Sequence, residues 1–291
     1  MFRSLVAALA VLSCQLSPTR AAAAIAEQKD FSITNTNVSA VWNQTEWSLT
    51  TVDYVPAQYQ SRMSLSNGYV GASLAAAGPF FEYDMNQTNP DGDEPANVWP
   101  LFSRRLSFST ISGFYNVQQN GSGTNYPWLE QYGYESFIAG IPHATGIIFT
   151  FGDASLDSTA DPSEISNFES SLTFKTGVAS WAYKWSPAGV STTFQVSFKA
   201  IFSRVTPNLV AVEAQITPSG DVNGKVTDVL DGRSAVRSYL ADKKLDEKST
   251  TILTSVHPDN LPNVTAYLVS TAEFDDKYTN KKSRVEASAP I

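Results

Sequence analysis

The residues from 190 to 202 alternate in character along the chain, with Ile201 as the one exception. A period of two is the repeat of a β-strand, and this pattern is typical of an antiparallel strand between a core and water. The mainly apolar face carries Val190, Thr192, Phe194, Val196, Phe198, Ala200 and Phe202, and the polar face carries Ser191, Thr193, Gln195, Ser197 and Lys199. The chain is therefore expected to contain an antiparallel sheet that buries one face.

Turn-forming residues divide the rest of the chain at short intervals. Residues 206–208 (Thr-Pro-Asn) lead from this strand into a second alternating run at 210–216, so the two runs are predicted to form a hairpin. Asn-Gly and Asp-Gly pairs bracket a short strand at 225–230. Further strands are predicted at residues 69–75, 146–151, 170–174, 178–185, 251–256 and 264–270. This pattern predicts an all-β fold, a large antiparallel β-sandwich of two sheets.

Few short helices are expected. Residues 239–248 are predicted to form a short charged helix, and residues 56–63 a helical turn or two. Residues 86–100 contain three prolines and an Asp-Gly pair, which predict a long surface loop.

The first residues are typical of a secretory signal. Arg3 supplies the positive charge, and the apolar run from Leu5 to Leu16 is too short to span a membrane as a helix. Cleavage is expected between Ala22 and Ala26, and no membrane span is expected after it. Cys14, the only cysteine, lies inside this signal, so the mature chain is predicted to have no disulfide.

The net charge and the glycosylation sequons predict properties of the protein surface. An acidic chain with a net charge of −8 repels phosphate backbones, so nucleic-acid binding is not expected. Sequons behind a secretory signal predict N-linked glycans on exposed asparagines. They begin at Asn37, Asn43, Asn86, Asn120 and Asn263.

The expected organisation is a signal peptide at residues 1–24, a polar lead-in at 25–45 and one β-sandwich domain at 46–291. No internal repeat is visible. The last residues, 287–291, follow a charged stretch without forming a terminal strand, and we interpret the end as a cut in a longer chain.

The motif at residues 64–71, Ser-Leu-Ser-Asn-Gly-Tyr-Val-Gly, joins an Asn-Gly turn to an apolar strand. With four other segments, in the same order, it resembles the amino-terminal region of fungal acid trehalases, which belong to glycoside hydrolase family 65. The segments are residues 60–71, 99–115, 140–146, 180–185 and 228–233, and the resemblance covers about residues 40 to 270.

The resemblance implies a β-sandwich followed, in intact members, by an (α/α)6 catalytic barrel and a small β-domain. Such enzymes hydrolyse α,α-trehalose to two glucoses with inversion, which requires one carboxylic acid and one carboxylate roughly 6.5–9.5 Å apart. In the family both groups come from the barrel, which is expected to be absent from this chain, so no catalytic residue is transferred. The implied partners are that barrel and, in the intact enzyme, trehalose or a related saccharide. The implied location is extracellular, the cell wall or the vacuole.

Other catalytic arrangements are weaker. Glu130 and Glu135 lie among aromatics, which raise a carboxyl pKa as a general acid requires, but solvent-facing strand or loop positions are favoured for both. Residues 71–75, centred on Ser73, differ at one position from the G-x-S-x-G pattern of a nucleophile elbow. The surrounding chain is predicted to be β and not α/β, so a structural role is expected for Ser73. His143 and His257 are isolated, so no metal site and no cofactor is predicted.

Tryptophan side chains could stack on a sugar ring. Trp181, Tyr183 and Trp185 share one face of a predicted strand and therefore form either a core stripe or an exposed platform, of which core is favoured. The candidates for sugar stacking are Trp99, Trp128, Trp181 and Trp185. Asp228 and Arg233 are interpreted either as a turn with a surface ion pair or as a contact with the barrel.

Two functional hypotheses follow. The first is an inactive amino-terminal domain that supports the barrel of a secreted acid trehalase and exposes an apolar patch where that barrel docks. The alternative is a stand-alone carbohydrate-binding β-sandwich without catalysis, which predicts an exposed row of tryptophans.

Overall fold

A computed structural model describes residues 31–34, 39–55, 63–82, 107–118, 135–230, 235, 237–246 and 251–273. No α-helix occurs among these residues, and one turn of 3-10 helix spans Pro162–Glu164. The strands are β1 (Phe31–Thr34), β2 (Ser39–Asn43), β3 (Ser48–Thr51), β4 (Ser64–Ser66), β5 (Val70–Ser73), β6 (Ser109–Ile111), β7 (Tyr115–Gln118), β8 (Glu135–Ile138), β9 (Ile147–Phe151), β10 (Ala154–Leu156), β11 (Ile165–Thr173), β12 (Val178–Trp185), β13 (Phe194–Phe202), β14 (Val210–Pro218), β15 (Lys225–Asp228), β16 (Ser238–Asp246), β17 (Thr251–Pro258) and β18 (Ala266–Thr271).

One wide sheet organises the structure. Its strand order is β1-β2-β3-β11-β12-β13-β14, and every neighbouring pair is antiparallel. The remaining strands form small antiparallel sheets, in the orders β4-β5-β6, β7-β8, β10-β9-β15 and β16-β17-β18. The all-β, antiparallel prediction is confirmed, although several small sheets rather than one continuous sheet lie beside the wide one.

The core lies where β9 packs against β12 and β13. The ring centroids of Phe151 and Phe194 are 4.3 Å apart, and those of Phe149 and Phe198 are 5.9 Å apart. Trp185 packs on the same group, 5.1 Å from Phe194. Offset and tilted aromatic contacts at these distances stabilise a core beyond the apolar area that they bury.

Some predicted strand boundaries agree with the structure and others do not. Strand β12 has the predicted bounds, and the predicted hairpin is formed by β13 and β14. Strand β13 begins at Phe194, four residues later than the alternating pattern. Strands β1 and β2 lie inside residues 25–45, the expected polar lead-in, and they extend the wide sheet through β3.

The predicted charged helix at 239–248 is wrong, because β16 occupies this segment and pairs with β17. Two features conceal the strand in the sequence. A register shift between Leu240 and Asp242 interrupts the alternation, and the charged side chains of Asp242 and Lys244 lie on the solvent side. The helical turn predicted at 56–63 falls mostly outside the described residues, and the loop at 86–100 falls wholly outside them.

Several buried polar atoms have no hydrogen-bond partner among the described residues, and one of them lies in the aromatic core. The hydroxyl of Tyr183 is buried with no hydrogen-bond partner among these residues, and burial raises the pKa of this group. Tyr54 offers a matched comparison, since its hydroxyl donates a hydrogen bond to the carbonyl oxygen of Ala160 at 3.3 Å.

We therefore predict opposite effects of the same substitution at these two positions. Tyr183→Phe should raise the free energy of unfolding by about 1 kcal/mol, because it removes an unsatisfied buried hydroxyl. Tyr54→Phe should lower it by about 1 kcal/mol, because it removes a hydrogen bond. Urea unfolding of both variants measures the difference, and a loss of stability in Tyr183→Phe would contradict the expected effect.

Candidate functional site

The Asn-Gly motif forms the turn between β4 and β5. The Oδ1 atom of Asn67 accepts hydrogen bonds from the backbone N–H groups of Tyr69 and Val70, each at 2.9 Å. Gly68 follows with φ of 91°, in the left-handed region that favours glycine. The turn is therefore fixed by one side chain and one glycine, as the motif predicts.

The same asparagine joins this turn to the wide sheet. Its Nδ2 atom donates to the carbonyl oxygens of Ser203, at 2.6 Å, and Pro207, at 2.8 Å. Both acceptors belong to the loop between β13 and β14. Asn67 therefore uses its acceptor to form its own turn and its two donors to fix a loop distant in sequence, and we call this arrangement the Asn67 clamp.

The clamped loop exposes apolar side chains, which with Tyr69 we call the apolar tip. Val205 is 96% exposed, and Tyr69 and Leu209 are 42% and 41% exposed. The loop is internally bonded, since Thr206 N–H donates to Ser203 Oγ at 3.0 Å and Leu209 N–H donates to Thr206 O at 2.9 Å. A bonded loop that presents apolar side chains is suited to contact with another protein surface.

Behind the turn, Ser73 and His143 form a buried structural network. His143 Nε2 lies 2.9 Å from the carbonyl oxygen of Ser73, and His143 Nδ1 lies 3.1 Å from Thr145 Oγ1. The Ser73 hydroxyl oxygen accepts a hydrogen bond from Phe108 N–H at 3.1 Å. The imidazole faces the carbonyl of Ser73, which is not the arrangement of an activated nucleophile and its base.

Burial lowers the pKa of His143 from its ordinary 6.5 to about 4, against an opposing effect of the hydrogen bond to Ser73. The imidazole is therefore neutral above pH 4. This neutral ring donates one hydrogen bond and accepts another, which matches its two neighbours. The role of His143 in the described structure is to link β5 to the segment before β9.

A family comparison covers most of the chain. Residues 47–289 match the model described as "Glycosyl hydrolase family 65, N-terminal domain". The chain belongs to this family. The fold described above is therefore that of a family 65 amino-terminal domain, as the sequence motifs predict.

The curated relatives of this family 65 chain are fungal acid trehalases. It is 43% identical over 227 residues to an acid trehalase of Emericella nidulans, and 42% identical over 228 residues to a cell wall acid trehalase of Arthroderma benhamiae. Each match covers 78% of this chain but 21% of the relative. The chain therefore spans about a fifth of the length of the curated relatives that it matches.

A solved structure supports the fold. The chain titled "Putative kojibiose phosphorylase from human microbiome" is similar with a TM-score of 0.50 at 12% identity. The similarity covers 87% of this chain and 35% of that one. At this identity the likeness concerns the fold alone.

The structure places two candidate sugar-stacking residues of this family 65 chain in the core. Trp181 and Trp185 are 2% and 0% exposed, because the inner face of β12 is covered by β9 and its neighbours. Their rings therefore present no face to a saccharide, and the core alternative describes them. Trp99 and Trp128 lie outside the described residues.

The remaining predicted residues are scattered. Glu130 is outside the described part of the chain, and only the backbone of Glu135, at the start of β8, is described. Asn263 is exposed before β18, and Asn43 is partly buried at the end of β2, where its Oδ1 accepts from Glu46 N–H at 2.9 Å. Asn37, Asn86, Asn120 and Arg233 fall outside the description.

One cavity of about 140 Å³ lies between β9, β14, β15 and the segment after β18. Its walls include Val210, Val212 and Val226, and its polar groups include Asp228, which accepts a hydrogen bond from Ser270 Oγ at 2.6 Å. Within the described ranges, no group of three or more metal-ligand side chains comes together. No helix of the described segments is long and apolar enough to cross a membrane.

The clamp leads to a stability prediction. Asn67→Asp replaces the two Nδ2 donors by a carboxylate oxygen facing two carbonyl oxygens, so it should lower the free energy of unfolding by about 1–3 kcal/mol. Asn208→Asp, on the exposed part of the same loop, is the matched control for the added charge. Equal losses in the two variants, measured by urea unfolding, would show that the clamp does not stabilise the domain.

His143 leads to a prediction about pH. Between pH 6.5 and 4 the unfolded chain binds a proton at this imidazole and the folded chain does not, so acidification favours unfolding. The loss should total about 3 kcal/mol, at about 1.4 kcal/mol for each pH unit, and should stop near pH 4. His143→Gln should flatten the dependence of the unfolding free energy on pH across this range relative to wild type. An unaltered slope in His143→Gln would be the contrary result.

Proposed function

We propose that this chain is the non-catalytic, supporting domain of an acid trehalase that hydrolyses α,α-trehalose to two glucoses. The observation that carries the proposal is the 43% identity to an acid trehalase of which the chain spans 21%. The remaining four-fifths of such a polypeptide would supply the acid and the base of an inverting hydrolysis.

Two carboxylates in the described structure, Glu164 and Asp53, are engaged in structural bonds, which supports this assignment. Glu164 accepts hydrogen bonds from Trp185 Nε1 at 3.2 Å and from Ala188 N–H at 2.7 Å. Asp53 accepts from both the backbone and the hydroxyl of Ser39, and these bonds lower its pKa. A general acid needs a raised pKa, so the environment of Asp53 suits anchoring and not proton donation.

The apolar tip is the surface that best fits contact with the catalytic domain. Val205 and Leu209 expose apolar area that the domain does not use for its own core, while the Asn67 clamp fixes their loop in advance. A loop ordered before binding loses less conformational entropy on docking.

Secretion and glycosylation complete the proposal. Named relatives include a cell wall acid trehalase and a periplasmic or secreted acid trehalase of Candida glabrata. The signal-like residues 1–24 support entry into the secretory pathway, and the exposed Asn263 is the best-placed glycan acceptor among the described sequons. We propose the cell wall or the medium as the destination.

The activity of the isolated chain tests the assignment. The purified chain should release no glucose from trehalose between pH 4 and 7, because the catalytic carboxylates lie in the other domain. A chimera in which this chain replaces the matched region of the Emericella nidulans relative should release glucose, with the unaltered relative as the positive control. Turnover by the isolated chain would overturn the proposal.

A further inference from the structure

The outer face of the β16-β17-β18 sheet carries three aromatic side chains, which we call the aromatic strip. Tyr239 lies directly opposite His257, and their ring centroids are 5.4 Å apart. Tyr267 lies opposite Ser255, and is therefore the diagonal neighbour of His257 on the next strand. The strip crosses all three strands of the sheet.

The strip is not part of the core. Leu240, Val256 and Leu268 alternate with its residues and pack inward, so the sheet already buries its inner face. On the outer face Tyr267 is 72% exposed and Tyr239 is 48% exposed. These aromatic faces are consequently available to a ligand.

Polar groups border the strip on the same face. Asp242, opposite Ser255, forms an ion pair with Lys244 at 3.2 Å, and both side chains are more than half exposed. A carboxylate and an ammonium group thus lie beside exposed aromatic rings.

We propose that the aromatic strip binds a saccharide of linked, uncharged pyranose rings. The negative face of an aromatic ring attracts the C–H groups on a sugar face, and carboxylate and ammonium groups pair with its hydroxyls. Two strand spacings of about 4.8 Å each and a two-residue offset along the strands separate Tyr239 from Tyr267, roughly 12 Å in all, which suits more than one ring. A flat, open face also suits a chain that continues beyond the contact.

This binding goes beyond the proposed function, because it needs neither the catalytic domain nor hydrolysis. Its ligand could be a free disaccharide or a wall polysaccharide, which share the same chemistry. In either case the strip would keep the domain close to saccharide. A protein surface is the other occupant that such a face could take, and the test distinguishes it.

Binding of the full chain to trehalose, to laminarin and to chitotetraose, measured by titration calorimetry, tests the inference. At least one probe should bind, and Tyr239→Ala and Tyr267→Ala should each weaken it about ten-fold, which corresponds to about 1.4 kcal/mol. Tyr267→Phe should retain binding, because the ring face remains. Phe174→Ala, which removes an exposed aromatic side chain outside the strip and outside the apolar tip, should leave the affinity unchanged.

The probes distinguish the sources of the ligand. Binding of trehalose alone indicates the free disaccharide, and binding of laminarin or chitotetraose indicates a polysaccharide; either supports the strip when Tyr267→Ala weakens it. No binding of any probe overturns the inference, as does an equal loss of affinity in Phe174→Ala. Self-association of the chain that Tyr267→Ala abolishes, without saccharide binding, overturns it in favour of a protein interface. None of these results depends on catalysis, so they are distinct from failure of the proposed function.

Discussion

The packing of β9 on β12 and β13 is the contact on which the rest of the structure depends. It brings Phe149 and Phe151 from a small sheet against Phe194 and Phe198 of the wide sheet. Short strands that expose one edge and bury one face are marginal alone, so the small sheets gain their stability from this shared core. The wide sheet in turn needs them to cover the aromatic face of β12.

The Asn67 clamp is a second link between these layers, and it is polar. Its four bonds satisfy backbone groups on both sides of the contact, so one side chain sets both the β4–β5 turn and the β13–β14 loop. This bonding also bears on the proposed docking surface, because the loop that Asn67 fixes carries Val205 and Leu209. A motif that the sequence shows as a turn is therefore, in three dimensions, also the support of a candidate contact surface.

Sequence periodicity was sufficient for the strands whose alternation is strong and uninterrupted. Strands β12 and β13 follow from it because each has one buried face and one more open face. Strand β16 was concealed by its bulge and its charged outer face, and β1 and β2 are too short to show a period. The prediction of an all-β domain is correct despite these errors, because turns and strongly alternating strands outnumber the ambiguous segments.

The candidate functional surfaces are harder to predict from the sequence than the fold. Trp181 and Trp185 are candidates for sugar stacking because they are aromatic, yet their alternation along one strand favours a buried core position. The strip formed by Tyr239, His257 and Tyr267 was missed because its members belong to three strands, one of them predicted as a helix. The two acceptors of the Asn67 clamp, at Ser203 and Pro207, lie more than a hundred residues away in sequence, and no local pattern indicates such a contact.

The central claim is that this chain supports a catalytic domain through the apolar tip. Hydrogen exchange of backbone amides, compared between the isolated chain and the chimera with the Emericella nidulans relative, tests it most directly. The account predicts that residues 203–209 and 67–69 exchange more slowly in the chimera, because docking covers them. Unchanged exchange in both segments, with new protection on another face of the domain, would contradict it.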